Sequence, residues 1–265
     1  MTGEPAFLAG AVAAVLIGTS CACLGVYVVL RRMAFVGDAL AHTVLPGLVV
    51  ALLLGYSTFL GALVAGLATA LGIGWLTRRQ ALREDTAIGV LFTAMFALGV
   101  VLAADRDPHE LNALLFGDLG NVGRGELVLL GAVTVVVLTA LALLHKELEL
   151  TSFDPGYAEA VGIRTDRLRY LLLALIALAV VSAVRAVGVL LTAALLVTPA
   201  AAASMLTASL PRMMALGTGL AVASAIAGLW LSLRFALPSG AAIVLVCTAS
   251  FAIAWTVHTV RLGRG

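Results

Sequence analysis

The sequence predicts an all-α fold: a polytopic membrane helical bundle of about nine transmembrane helices, with eight as the alternative. Three observations lead there. Hydrophobic residues make up 62% of 265 and charged residues only 11%. Mean hydropathy is +1.14, far above that of an ordinary soluble domain. The few charges gather in short clusters between apolar runs long enough to cross a hydrocarbon layer of about 30 Å.

The first span, Ala6 to Leu30, carries Gly10, Ala14 and Gly18 at intervals of four, a pattern that permits close backbone approach to a neighbouring helix. Its only preceding charge is Glu4. The basic start of a secretory signal is missing, and the first helix is expected to stay in the protein. The second span runs from about Met33 to Leu54. Spans three and four, Phe59 to Leu76 and Thr86 to Ala103, are joined by the charged stretch Thr77 to Asp85. A polar loop from Ala104 to Gly125 follows. It holds Asp105, Asp107, His109, Glu110 and Asp118, which suit either receipt of a cation or plain solvation.

The fifth span is Glu126 to Leu144, and the longest charged loop, His145 to Arg169, comes next. Four apolar runs complete the chain: Tyr170 to Val184, Ala186 to Met205, Met213 to Leu233 and Leu237 to Val257. Thr198 and Pro199 are expected to break or bend the seventh span near its cytoplasmic side, as a gate or as a packing kink. With the N-terminus outside, all sixteen basic residues except Arg106, Arg124, Arg185 and Arg234 fall on the cytoplasmic side, as the positive-inside rule requires. The junction at Arg185 is short, so Ala186 to Met205 is alternatively re-entrant. That would flip the last helices and worsen the charge distribution. Arg185 and Arg234 are expected near the outer mouth, pairing with acidic loop residues or with lipid headgroups. No repeat, low-complexity tail or linker appears, and residues 1–265 read as one transmembrane domain.

Several classes are set aside by composition. The net charge is +2 and the pI about 8.6, but the basic residues are dispersed, so nucleic acid is not implied. Cys21, Cys23 and Cys247 all lie in apolar runs. Their odd number gives no complete disulfide framework. Residues two apart on a helix point about 200° apart, which sets Cys21 and Cys23 aside as a shared metal site.

The chemistry concentrates between Arg31 and Pro46. Asp38 and His42 are four apart, on one helix face within roughly 6 Å of each other. Pro46 lacks the N–H that would bond the His42 carbonyl, leaving that oxygen free on the same face. An ionisable residue in a span is a functional signal by default. Its bland counterpart is an acid that snorkels to water beside Arg31 and Arg32, with His42 as a packing residue. Carboxylate and imidazole suit a divalent cation such as Mn(II), Zn(II) or Fe(II). One helix supplies too few of the four to six ligands such ions take, so a second copy of the chain is expected to supply the rest.

A second motif, Ser152 to Ile163, has helix punctuation at both ends. Asp154 can cap, Pro155 fits the first turn and Gly162 can stop the helix. Phe153, Tyr157, Val161 and Ile163 are left to insert into something. Asp154 and Glu159 among them would be repelled by anionic headgroups, which favours a protein partner over the lipid surface.

Three segments resemble the zinc/manganese/iron ABC-importer permeases in order and spacing: Arg32 to His42, Phe153 to Ile163, and Arg185 to Leu191 through Thr198 to Ala201. The resemblance covers nearly the whole chain. It implies a type II ABC importer-like fold and a homodimeric permease in the bacterial inner membrane. It also implies two cytoplasmic ATPase subunits and an extracytoplasmic metal-binding lipoprotein. Asp38 and His42 would line the metal pathway. The segment with Asp154, Pro155, Tyr157, Ala158, Glu159 and Gly162 would be the coupling helix that docks on the ATPase. Zinc, manganese or iron would be substrate, and ATP would be bound by the partner. The chain itself lacks a Gly-x-x-x-x-Gly-Lys-Ser/Thr sequence, and its sole lysine, Lys146, precedes Glu147; it is not expected to hydrolyse ATP or to hold a cofactor. Two rivals are a proton-coupled secondary transporter, which also uses a mid-membrane acid and histidine, and an intramembrane enzyme built on Ser20 in Gly18-Thr19-Ser20-Cys21-Ala22 with His42 as base.

Overall fold

The computed structural model describes residues 4–78, 82–104 and 122–262. Twelve helices and no strand occur among them: α1 (Glu4–Leu30), α2 (Val36–Thr43), α3 (Leu45–Leu54), α4 (Thr58–Leu76), α5 (Glu84–Ala103), α6 (Arg124–Leu143), α7 (His145–Phe153), α8 (Pro155–Ala160), α9 (Thr165–Val187), α10 (Val189–Leu206), α11 (Leu210–Phe235) and α12 (Ser239–Leu262). Counting α2 and α3 as one crossing, nine stretches are long and apolar enough to span a membrane. The outer polar-loop residues Asp105, Asp107, His109, Glu110 and Asp118 lie outside the described residues.

Helix α1 is the axis of the bundle, packed against α6, α9, α10 and α11, with Ile17, Leu24 and Tyr27 fully buried. Lipid offers no hydrophobic drive for one helix to seek another, so association depends on close contact. Small residues supply it. Gly18 of α1 lies against Ala221 of α11, and a methyl group at Gly25 would collide with the Leu196 carbonyl of α10. Gly10, Ala14 and Gly18 are all buried, so their spacing marks a packed face. A second small-residue crossing, not singled out in the sequence, joins α3 to α4: a methyl at Gly47 would strike the Gly61 carbonyl, and one at Gly61 the Gly47 carbonyl. On the outside, Val135, Leu143, Trp230 and Leu245 are exposed, as lipid-facing residues should be.

Several boundaries differ from expectation. The second span starts at Val36, because the chain leaves α1 through a turn in which Arg32 takes φ 59°. The Arg32 N–H donates to the Val29 carbonyl and the Met33 N–H to that of Val28, a Schellman ending with arginine where glycine is usual. Asp38 is therefore about 3 Å, and His42 about 9 Å, along the helix from its start, instead of the roughly 8 and 14 Å that a span beginning at Met33 gives. The span also breaks at Val44, since Pro46 withholds its N–H. Helix α9 runs past Arg185 to Val187, and the whole junction to α10 is Gly188, at φ 82°. The seventh crossing is a separate helix of 18 residues, neither re-entrant nor broken. Pro199 sits inside it, and Thr198 is mid-helix rather than near one end. The charged loop after span five is largely helical, forming α7 and α8.

Candidate functional site

Asp38 and His42 share one face of α2. Behind them Gly37 packs closely on the Leu196 side chain of α10, and the acid and imidazole face away from α10. His42 Nε2 stands 3.7 Å from Asp38 Oδ1, beyond hydrogen-bond range and close enough for a cation between them. The pair is not sealed inside the single chain: the Asp38 side chain is 53% exposed and that of His42 32%. Pro46 has no N–H to give the His42 carbonyl, and the Val44 N–H is the backbone donor turned toward that oxygen where α2 ends.

Helix α5 lines the other side. The His42 ring meets Phe92 and Phe96 edge-on, with centroids 5.8 and 5.7 Å apart. Below, a cavity of about 200 Å³ is bounded by Phe35, Asp38, Asp85 and Phe92. No cluster of three or more metal-ligating side chains occurs among the described residues. Asp85 and the two phenylalanines were not anticipated; their spacing on α5 reads as an ordinary apolar helix, and only its packing beside α2 reveals them.

The second motif folds as its punctuation demands. Asp154 Oδ1 accepts the Tyr157 N–H at 2.9 Å, and Pro155 occupies the first turn. Gly162, at φ 93°, donates to the Glu159 carbonyl while Ile163 donates to that of Ala158, the paired bonds of a Schellman ending. Phe153, Tyr157 and Val161 are exposed, and so is Glu159, whose Oε1 accepts the Thr165 hydroxyl. Ala158 is fully buried and Ile163 packs on the core. These two face the bundle because the helix has one buried side, so neither belongs to an outward docking face.

A polar network, invisible in local spacing, ties this segment to the spans. Arg31 donates to Thr151 Oγ1 at 2.9 Å and Ser152 Oγ at 3.1 Å. Burial lowers its pKa, and the Glu84 carboxylate works in the opposite direction. Arg169 pairs with Glu84 at 3.5 Å and donates to the Thr77 carbonyl. At the opposite end Arg185 pairs with Glu126 at 3.4 Å. On α10, Thr198 is half-buried and Pro199 is buried with its carbonyl beside Gly217 of α11. Ser20 spends its hydroxyl on the Leu16 and Ile17 carbonyls. The three cysteines are buried free thiols.

Residues 5–258 match the model of the ABC 3 transport family. The manganese transport system membrane protein MntC of Halalkalibacterium halodurans is 42% identical over 92% of this chain and 84% of its own. The chelated iron transport system membrane protein YfeD of Yersinia pestis is 35% identical over 94% and 84%. Among solved structures, PsaBC from Streptococcus pneumoniae in complex with Fab contains a chain that aligns at TM-score 0.82 and 32% identity, over 94% of this chain and 90% of that one. With a family model spanning nearly its whole length, and relatives and a solved fold that agree with it, this multi-pass membrane protein belongs to the ABC 3 transport family.

Proposed function

We propose that the chain is the membrane-spanning permease of an ATP-driven importer of divalent metal ions, with manganese, iron or zinc as substrate. The observation that carries this is the Asp38–His42 pair, exposed on one face of a broken span in a chain of this family. The carboxylate supplies charge compensation where dielectric is low, and the imidazole supplies a nitrogen ligand. One protomer offers two such groups and the metal takes four to six, so two copies form the pathway between them about a two-fold axis. The exposure of both side chains in the isolated chain supports this arrangement.

In this reading the N-terminus is outside and α7–α8 are cytoplasmic. The segment with Asp154, Pro155, Tyr157, Ala158, Glu159 and Gly162 is the coupling helix, with Ala158 on its inner side and Phe153, Tyr157 and Val161 presented to a separate ATPase subunit, one per protomer. An extracytoplasmic metal-binding lipoprotein delivers the ion. ATP binding by the partners displaces the coupling helices, rocks the protomers and exposes the pair to each side in turn. Thr198 and Pro199, at the middle of α10, are the candidate gate. A proton-coupled carrier is not favoured, because family membership supports ATP-driven transport. An enzyme on Ser20 is disfavoured by the commitment of its hydroxyl to the helix backbone.

The test is uptake of manganese, zinc and iron, by elemental analysis, in cells expressing the permease with its ATPase. Asp38→Asn and His42→Ala should each abolish accumulation while leaving the assembled complex in the membrane. Normal uptake by both variants would remove the pair from the pathway.

A further inference from the structure

We propose that Phe92 and Phe96 are positioning residues for His42: they fix its imidazole in the orientation that completes a metal site with Asp38. The inference rests on the metal reading of that pair. The two phenylalanines are four apart on α5, so their rings lie one above the other, centroids 5.9 Å apart and planes 18° from parallel. His42 meets this two-ring surface edge-on, at 65° to Phe92 and 82° to Phe96. That is the geometry aromatic quadrupoles favour, at centroid distances inside the favourable range of about 4.5–7 Å.

What holds the imidazole matters because Asp38 does not. At 3.7 Å the Nε2–Oδ1 separation is too long for a hydrogen bond, and a side chain one-third exposed would otherwise sample several rotamers. Contact with two rings removes that freedom before any ion arrives, so less is lost when the nitrogen is engaged. Phe92 also borders the cavity shared by Asp38 and Asp85. It therefore touches both the His42 ring and the cavity that Asp38 lines. Neither phenylalanine offers a ligand atom, so their contribution must pass through His42.

That dependence supplies the test. Zn2+ affinity is measured by equilibrium dialysis on the intact permease–ATPase complex in lipid nanodiscs, with the Asp38→Asn/His42→Ala double variant as background. Phe92→Leu keeps an apolar side chain and removes the ring. It should weaken Zn2+ binding about tenfold, Phe96→Leu should act alike, and Phe92→Tyr should restore affinity to within about twofold. In a His42→Ala background, Phe92→Leu should cause no further loss, since no imidazole is left to position. Equal losses with and without His42 would mean that the ring merely supports the helix pair, and unchanged affinity in Phe92→Leu would overturn the proposal outright. Wild-type affinity in His42→Ala or Asp38→Asn alone would instead defeat the metal reading itself, a separate result. Where Phe92→Leu does not assemble, Phe96→Leu and Phe92→Tyr carry the comparison.

Discussion

Asp38 and His42 show what a single side chain can specify in this protein and what it borrows. Their separation along α2 follows from sequence spacing. Their direction goes with the close packing of Gly37 on Leu196. Backbone strain is also a single-residue matter. Ala236 closes α11 with φ 52°, in the left-handed region, while its N–H and that of Leu237 both bond the Ser232 carbonyl. Glycine, which has no Cβ, reaches that conformation without the clash that the alanine Cβ makes with the following carbonyl. Ala236→Gly should therefore raise stability by about 1 kcal/mol, read as a higher midpoint of thermal unfolding in detergent with uptake unchanged.

Helix pairs succeed or fail at their small-residue crossings. Helices α3 and α4 approach until Gly47 and Gly61 touch, with Ala51 and Ala65 alongside. Because the obstacle to a larger residue is the opposing backbone rather than a flexible side chain, no rotamer change relieves it. Gly61→Val should cost about 3 kcal/mol through overpacking. The check is the yield of monodisperse protein and its unfolding midpoint; wild-type values would mean that this crossing contributes little. The second span belongs to the same scale. It is two helices because Pro46 interrupts the hydrogen-bond ladder, and the break leaves α2 as a short element held by α5, α9 and α10.

Across the whole molecule, the α7–α8 segment and the start of α5 are joined by charge. Arg31 reaches Thr151 and Ser152, Glu84 lies within its field, and Arg169 links Glu84 to the end of α4. Helix α5 carries Phe92 and Phe96 to His42, so displacement of α8 has a continuous physical route toward the candidate site. Glu159 lies exposed on α8, where its carboxylate accepts the Thr165 hydroxyl. Glu159→Arg should leave insertion intact and raise the ATP hydrolysed per metal ion imported severalfold in proteoliposomes with the ATPase. A ratio equal to that of the wild type would place α8 against lipid instead of the partner.

The membrane class, the nine crossings, the Asp38–His42 spacing and the capped turn from Asp154 to Gly162 were all determined by the sequence alone. Each rests on a local property: hydropathy over one helix length, the α-helical period, or the chemistry of a single cap. The start of α2, the helical course of α7, the unbroken passage of α10 through Pro199 and the inward faces of Ala158 and Ile163 were decided only by the tertiary structure. So were the contacts of Phe92 and Phe96 with His42 and the bonds from Arg31 to Thr151 and Ser152. These join residues 50 to 121 positions apart, and no periodicity within one span specifies which face of another it will meet. In lipid, that choice falls to the backbone-to-backbone fit of small residues, a property of two helices together.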